Sequence, residues 1–394
     1  MDPRANPYAP GAGTRPPELA GRDDVIKRIE IALDRHRSGR SARHHLLVGL
    51  RGVGKTVLLD DLARRSEANG FTAIRVEALE ERPLLTLIVP ALRTSLLRLD
   101  RGQAVATKAK RALSGLRNFA AAFKLSMGEV EVGIAPAELG VADSGDLDTD
   151  LADLLRLIGE AAQERETAAV LFIDELQYVD ETELSALVGA LHRAGQLQLP
   201  IAMVGAGLPQ IIGKLARAKS YSERLFLVDE IGSLNEEAAR RALMIPAERE
   251  DVQFKPSAVA RIVARTRGYP YFLQQWGSQV WDVAKKSPIT VADVTAADPI
   301  ALAELDGSFF RARFEKLTPR ERQYARAMAE LGDGPQYSSD VASMLERTTQ
   351  QCGPVRDSLI RKGMVYSSER GQLDFTVPMF ADFMRRAMPK LELD

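Results

Sequence analysis

Between Arg22 and His36 the apolar residues Val25, Ile26, Ile29, Ala32 and Leu33 recur at three- and four-residue spacing, which predicts an amphipathic helix. Leu46-Leu47-Val48 is a short apolar run closed by Gly49, the pattern of a buried strand. The alternation continues along the chain. A helix is predicted over 56–66, a strand over 71–76, and a long helical stretch over 84–123 with a break near Gly102. Residues 125–134 alternate and predict a small hairpin, followed by loop to 149. An amphipathic helix over 151–165 leads to a strongly apolar strand at 168–173. Then come a helix at 181–193, a strand at 201–204, a helix at 208–218 and a short fifth strand at 225–228. Strands alternating with helices imply a parallel sheet covered on both faces.

After Gly232 this alternation stops. Helices are predicted over 235–244, 256–266 and 271–285, and again over 318–331, 339–346 and 351–362. Two short β runs, 364–367 and 372–377, close the chain around Ser368-Glu369-Arg370-Gly371. Three helices followed by a β-hairpin is the order of a winged helix. Pro354 lacks an N–H and suits only a first helical turn, so the third helix is expected to start late. The expected domains are a flexible arm at 1–17, rich in Pro and Gly, and an α/β core at 18–232 with a helical and hairpin insertion at about 84–150. A helical lid at 233–305 and a winged helix at 306–394 complete the set.

Composition narrows the function. Apolar residues make up 45% and charged residues 27% of the 394 positions, with a net charge of −1, as in ordinary soluble domains. This excludes a globally basic nucleic-acid binder and leaves room for a local basic face, such as Lys108, Lys110, Arg111, Arg117 and Lys124. No apolar run approaches the roughly 20 residues of a membrane helix. Residues 1–17 lack the apolar segment of a secretory signal, so a cytoplasmic protein without membrane contact is expected. One cysteine, Cys352, excludes an internal disulfide and a cysteine zinc cluster. His36, His44, His45 and His192 lack metal-site spacing.

The chemistry is concentrated in two segments. Gly49-Leu50-Arg51-Gly52-Val53-Gly54-Lys55-Thr56 fits G-x-x-x-x-G-K-[ST] between a predicted strand and a predicted helix. Glycines let such a loop wrap tightly with its N–H groups aimed at phosphate oxygens, and the following helix adds its positive dipole end. Lys55 is the counter-charge for β- and γ-phosphates, Thr56 a Mg²⁺ ligand, and Gly49, Gly52, Val53, Gly54 and Val57 complete the nucleotide-binding run. The second segment is Val170-Leu171-Phe172-Ile173-Asp174-Glu175, an apolar strand ending in two carboxylates at the carboxyl edge of the sheet. Asp174 is expected in the Mg²⁺ shell, and Glu175 is expected to polarise the attacking water.

These segments resemble the AAA+ superfamily of P-loop ATPases, in particular its initiator-type and STAND-like bacterial branches, over nearly all of the chain after Pro16. The resemblance implies an AAA+ core with a parallel five-stranded sheet, a helical lid and a C-terminal winged helix, using ATP and Mg²⁺. Pro17-Glu18-Leu19-Ala20-Gly21-Arg22 looks like the family's segment approaching the adenine, which implies nucleotide contact for Arg22. Leu176-Gln177 is also familiar from the family. Val204-Gly205-Ala206-Gly207-Leu208-Pro209 stands where the family places its sensor 1 polar residue, yet Gly205 and Gly207 occupy the strand end. Tyr221-Ser222-Glu223-Arg224-Leu225-Phe226 is similar to the segment bearing the arginine finger, which implies that Arg224 reaches a neighbouring subunit's ATP in a homo-oligomer. Gly268-Tyr269-Pro270-Tyr271-Phe272 resembles the GxP motif of STAND-like lids, implying that Pro270 lies near the base. Arg265 and Arg267 are the nearby candidates for a sensor 2 arginine.

The third C-terminal helix offers Thr349, Gln350, Arg356, Ser358, Arg361 and Lys362, and the hairpin tip offers Arg370. These residue types bond phosphates and base edges. Acidic and basic residues are nevertheless near balance there, so contact with duplex DNA and contact with a partner protein both stand as readings. The leading one is an ATP-controlled, DNA-associated switch in which ATP closes the lid and sets the winged helix. The rival is a STAND-like signalling or defence ATPase whose winged helix meets protein.

Overall fold

The computed structural model describes residues 1–11, 13–100, 107–126, 140–367 and 369–391. It divides into two compact units, one of residues 22–49 and 55–231, the other of residues 1–21, 50–54 and 232–394. The expected break near Gly102 and most of the expected hairpin at 125–134 lie outside the described residues.

The first unit is α/β. Its strands are β1 (His44–Val48), β2 (Thr72–Glu77), β3 (Ala169–Asp174), β4 (Ile201–Gly207) and β5 (Phe226–Glu230). They form one parallel sheet in the order β2-β3-β4-β1-β5. β1, β3 and β4 are buried along their whole length, which is why their sequences read as unbroken apolar runs. The helices are α1 (Asp23–Arg37), α2 (Lys55–Ala68), α3 (Leu84–Asp100), α4 (Thr107–Ala122), α5 (Leu147–Glu164), α6 (Glu181–Gln196), α7 (Gln210–Ala218) and the single turn α8 (Ser222–Leu225). In the insertion α3 packs on β2, α4 against α3 and α5, and α5 against α6.

Two polar devices tie this unit together. The buried carboxylate of Glu183 on α6 accepts from the backbone N–H groups of Leu84 and Leu85 at 2.9 and 3.1 Å, capping the start of α3 from a distant helix. Asp229 on β5 accepts from Arg28 at 2.7 Å and lies 2.6 Å from His45 Nδ1, joining α1, β1 and β5. Burial pushes the Asp229 carboxyl upward, and its bonds to His45 and Arg28 outweigh that and hold it low. His44 stacks on His36 at 5.2 Å, and its Nδ1 accepts from the Met203 N–H at 3.2 Å. Burial, with His36 and His45 nearby, pushes His44 down to about 3, so it stays neutral and structural.

The second unit contains the helices α9 (Glu236–Glu248), α10 (Pro256–Thr266), α11 (Pro270–Val283) and α12 (Val291–Glu304). The last is absent from the hydrophobic pattern, because its sequence VADVTAADPIALAE has no clear apolar stripe. It runs through a π-helical segment, Leu305–Phe310, into the short α13 (Arg311–Phe314).

The segment expected as a flexible arm is packed instead. Tyr8 is buried, donates its hydroxyl to Leu243 O, and lies against Gly277, where an added Cβ would come within 2.6 Å of its ring. Asn6 Nδ2 donates to Ser278 O, Ser278 Oγ and Asp282 Oδ1 at 3.0–3.2 Å, and Trp281 Nε1 donates to Asp2 O at 2.9 Å. Pro and Gly content suggested disorder; the anchors on α11 supply the burial and hydrogen bonds that order it.

The remainder comprises α14 (Pro319–Leu331), β6 (Gln336–Tyr337), α15 (Ser338–Met344), α16 (Thr349–Arg361), β7 (Val365–Tyr366), β8 (Gln372–Phe375) and α17 (Phe380–Ala387). The strands form an antiparallel sheet in the order β6-β8-β7. Helix α16 does not start late. Thr348 and Gln351 form a capping box that starts it at Thr349 and leaves Pro354 inside the helix. The cap secures the first turn, and Pro354 stands one turn further in, where it lacks the N–H for the helical bond and its ring crowds the carbonyl of Gln350.

Candidate functional site

The glycine-rich loop runs from the end of β1 to the first residue of α2. Gly52 and Gly54 hold φ of 82° and 90°, where a side chain would be strained. Gly52 also has no room, since an added Cβ would lie 3.0 Å from the Tyr269 hydroxyl. Gly49 N–H donates to Gly207 O at 3.3 Å, which pins the loop's entry to the end of β4. Val53 is buried, Gly54 and Val57 are half-buried, and Lys55 is 7% exposed.

The first turn of α2 meets the end of β3. The Thr56 hydroxyl bonds to Asp174, and the Lys55 charge acts on the same carboxylate. Asp174 is 6% exposed. Burial pushes its carboxyl upward, helped by the Glu175 charge; Thr56, the Glu175 N–H at 2.8 Å and Lys55 oppose that rise. Lys55, Thr56 and Asp174 are thus brought together.

Glu175 turns the chain through the left-handed region at φ 53°, a conformation that costs a non-glycine residue energy and recurs at active sites. Its side chain is held by Gln177, whose Nε2 donates to Glu175 Oε2 and whose Oε1 accepts from the Leu208 N–H at 3.0 Å. Gln177 is therefore the polar group at the strand end where Gly205 and Gly207 leave none. The sequence signal for it was its place two residues beyond the acidic pair. Gly205 is glycine for a packing reason: an added Cβ would lie 2.3 Å from Leu176 Cδ1.

A family model described as the AAA ATPase domain matches residues 18–204. Residues 18–204 are therefore an AAA ATPase domain of the P-loop type. It binds ATP and hydrolyses it. A second family model, a domain of unknown function (DUF8462), matches residues 307–384. Among solved structures, the Walker-type ATPase PABY2304 of Pyrococcus abyssi is similar at 16% identity and TM-score 0.57, covering 94% of this chain and 97% of that one. The ORC1 protein of Aeropyrum pernix, solved with DNA, has 16% identity and TM-score 0.48, covering 94% of each chain. The RuvB Holliday junction branch migration motor of Thermotoga maritima has 17% identity and TM-score 0.47, covering 92% of this chain and 96% of that one. No curated protein matches.

The ATPase places the other candidates as follows. Arg22 is buried ahead of α1, and burial lowers its guanidinium pKa. Pro270 opens α11, and the next residue, Tyr271, donates its N–H to Gly52 O at 3.3 Å. The Gly268-to-Phe272 turn therefore lies against the glycine-rich loop. Arg267 is committed to Asp333 at 3.2 Å and Arg265 is exposed, so neither is drawn into this cluster. Arg224 is exposed on α8 and, among the described residues, has no ion pair.

On α16, Thr349 and Gln350 are exposed in the first turn, and Arg370 is exposed in the turn before β8. Arg356 pairs with Asp357 at 2.9 Å. Ser358 and Lys362 turn toward α14, donating to Glu321 at 2.6 and 2.7 Å.

Among the described residues, no helix of the ATPase is long and apolar enough to cross a membrane.

Proposed function

We propose that this ATPase is a Mg²⁺-dependent molecular switch with a C-terminal winged-helix domain that contacts duplex DNA. The observation that carries the nucleotide part is the Thr56–Asp174 hydrogen bond beside Lys55. A hydroxyl and a buried carboxylate are hard oxygen donors of the kind Mg²⁺ takes, and an anion whose burial penalty is incompletely offset fits a divalent cation. Bound Mg²⁺ supplies charge neutralisation on the phosphates. Thr56 and Asp174 hold the ion, directly or through water, Lys55 and the N–H groups of residues 49–57 hold the phosphates, and Glu175 orients the attacking water. Arg22 and Pro270 are assigned to contact with the base. The Gln177 bond keeps Glu175 in a fixed place.

Two variants test this. Lys55→Ala is expected to lose most affinity for a fluorescent ATP analogue. Glu175→Gln is expected to bind ATP but turn it over about 10²–10⁴-fold more slowly. Wild-type affinity in the first variant removes the assignment of Lys55, and unchanged turnover in the second gives the water to another residue.

The DNA part is supported by the exposed Thr349, Gln350 and Arg370, with Arg356 at the same face once released from Asp357. The inward turn of Ser358 and Lys362 favours the second reading, in which this domain meets a partner protein. A duplex titration at two salt concentrations decides between them. Arg356→Ala with Arg370→Ala should flatten the slope of log affinity against log salt by about 0.9 for each phosphate that is no longer neutralised. Absence of salt-sensitive binding in the wild type leaves the protein-contact reading.

A further inference from the structure

Helix α4 carries the basic run from Lys108 to Lys124, which the scheme above leaves unused. One side of the helix is core. Ala109, Leu113, Leu116 and Phe119 are buried there, and the helix packs against α3 and α5 within the α/β unit. The other side is exposed and holds Lys110, Arg117 and, just past the helix end, Lys124. Seven residues make nearly two turns, so these three share one side at steps of about 10.5 Å along the helix.

Residues 107–126 contain no Asp or Glu. Glu164 of α5 reaches only the helix start, where it accepts from the Lys108 N–H at 3.2 Å and offsets the charge of Lys108. Among the described residues Lys110, Arg117 and Lys124 have no ion pair. The neighbouring helices differ. Arg156 on α5 pairs with Asp153 and Glu160 at 3.5 and 2.9 Å, and Arg98 on α3 lies 3.8 Å from Glu67. A chain with a net charge of −1 thus gathers unpaired positive charge on one side of one helix.

The composition of this face decides what fits it. Thr107 and Ala121 are exposed beside the cations, while Phe123 and Leu125 are half-buried and packed on the core. A helix that lies on a membrane needs apolar side chains to insert, and a groove for a partner helix needs apolar pockets. A polyanion needs neither. Cations about one Debye length apart repel each other little, and each can neutralise its own phosphate.

We propose that Lys110, Arg117 and Lys124 form a contact for the phosphate backbone of a nucleic-acid duplex, made without regard to base sequence. The contact lies on the α/β unit and does not rest on the winged-helix reading. Its cations release counterions from the duplex, so the affinity it contributes falls as salt rises.

The test titrates the full chain with two DNA duplexes of equal length and unrelated sequence, at about 50 and 200 mM salt. Lys110→Gln with Arg117→Gln and Lys124→Gln removes the charges and keeps good helix formers, and thermal unfolding checks the fold. With one phosphate per cation, the slope of log affinity against log salt is expected to flatten by about 2.7. The wild type then loses about 40-fold more affinity than the triple variant over that salt range, on both duplexes alike. ATP turnover without duplex is expected to be unchanged. If the triple variant unfolds, Lys110→Gln with Lys124→Gln is measured instead, with a change of about 1.8 expected. Lys255→Gln with Lys285→Gln and Lys286→Gln removes three exposed charges from the other unit and is expected to leave the slope as it is. A slope unchanged in the α4 variant, or flattened as much by that control, overturns the contact. So does an effect confined to one duplex, or capture of phosphatidylserine vesicles without capture of duplex. Arg356→Ala with Arg370→Ala separates the two DNA readings. Complete loss of duplex binding in that variant overturns the α4 contact. Full binding there, with the slope flattened by the α4 variant, overturns the winged-helix contact and supports this one. A wild type that binds no duplex overturns both.

Discussion

Gly205 shows how one side chain's absence shapes the site. With Leu176 Cδ1 only 2.3 Å from where its Cβ would be, any larger residue drives the turn carrying Glu175 and Gln177 outward. Gly205→Ala is therefore expected to destabilise the protein by about 1–3 kcal/mol, the usual cost of overpacking a filled core. Thermal unfolding measures this, and an unchanged midpoint means that Leu176 has an alternative rotamer. Gln177 works at the same scale. Its amide bonds Glu175 on one side and Leu208 on the other, so the catalytic candidate is positioned by a neighbour two residues away and by the end of β4. The motif G-x-x-x-x-G-K-[ST] and the Asp-Glu pair were legible because each is local in sequence. The contacts that Gln177 makes with Leu208 and Tyr269 with Gly52 were not, because they exist only where distant segments meet.

Among elements, α14 and α16 depend on a single carboxylate. Glu321 completes the α14 capping box with Thr318 and accepts from Ser358 and Lys362 on α16. Burial pushes its carboxyl upward, but the bonds from Lys362, Ser358 and the Thr318 N–H outweigh that and bring it down to about 2, against an ordinary 4.5. A carboxyl lowered on folding stabilises above its unfolded value, so its contribution is whole above about pH 4.5 and disappears as pH falls toward 2. Glu321→Gln should cost about 1–3 kcal/mol near neutrality, and the gap to wild type should close as pH falls through that window. Unfolding curves from pH 7 to about pH 2.5 check it; a gap independent of pH means that the cost is one of packing. The same carboxylate explains why Ser358 and Lys362, which read as DNA-facing types along the helix, point inward.

For the whole molecule, the open question of assembly rests on Arg224. It is exposed at the end of α8 and unpaired among the described residues, while other exposed arginines, such as Arg217, Arg261 and Arg386, have carboxylate partners. If it completes a neighbour's site, turnover per subunit rises with protein concentration. Arg224→Ala then keeps ATP affinity and loses about 10³–10⁵ in rate, the range for an arginine finger. Activity that is linear in concentration and indifferent to this substitution rejects the role.

The sequence by itself determined the α/β core, its five strands and the phosphate motif, because buried strands and a strand-loop-helix turn write their requirements into adjacent residues. It also placed α14, α15 and α16, since capping and apolar spacing are local. Tertiary structure alone decided the rest. It ordered residues 1–11 by seating Tyr8 and Asn6 on α11, and it capped α3 with Glu183 from α6. It set the N–H of Tyr271 on Gly52 O, so that residues 268–272 lie against the glycine-rich loop. The physical reason is the same in each case: burial and electrostatic pairing act through space, between residues as distant in the chain as Asp2 and Trp281, 279 positions apart.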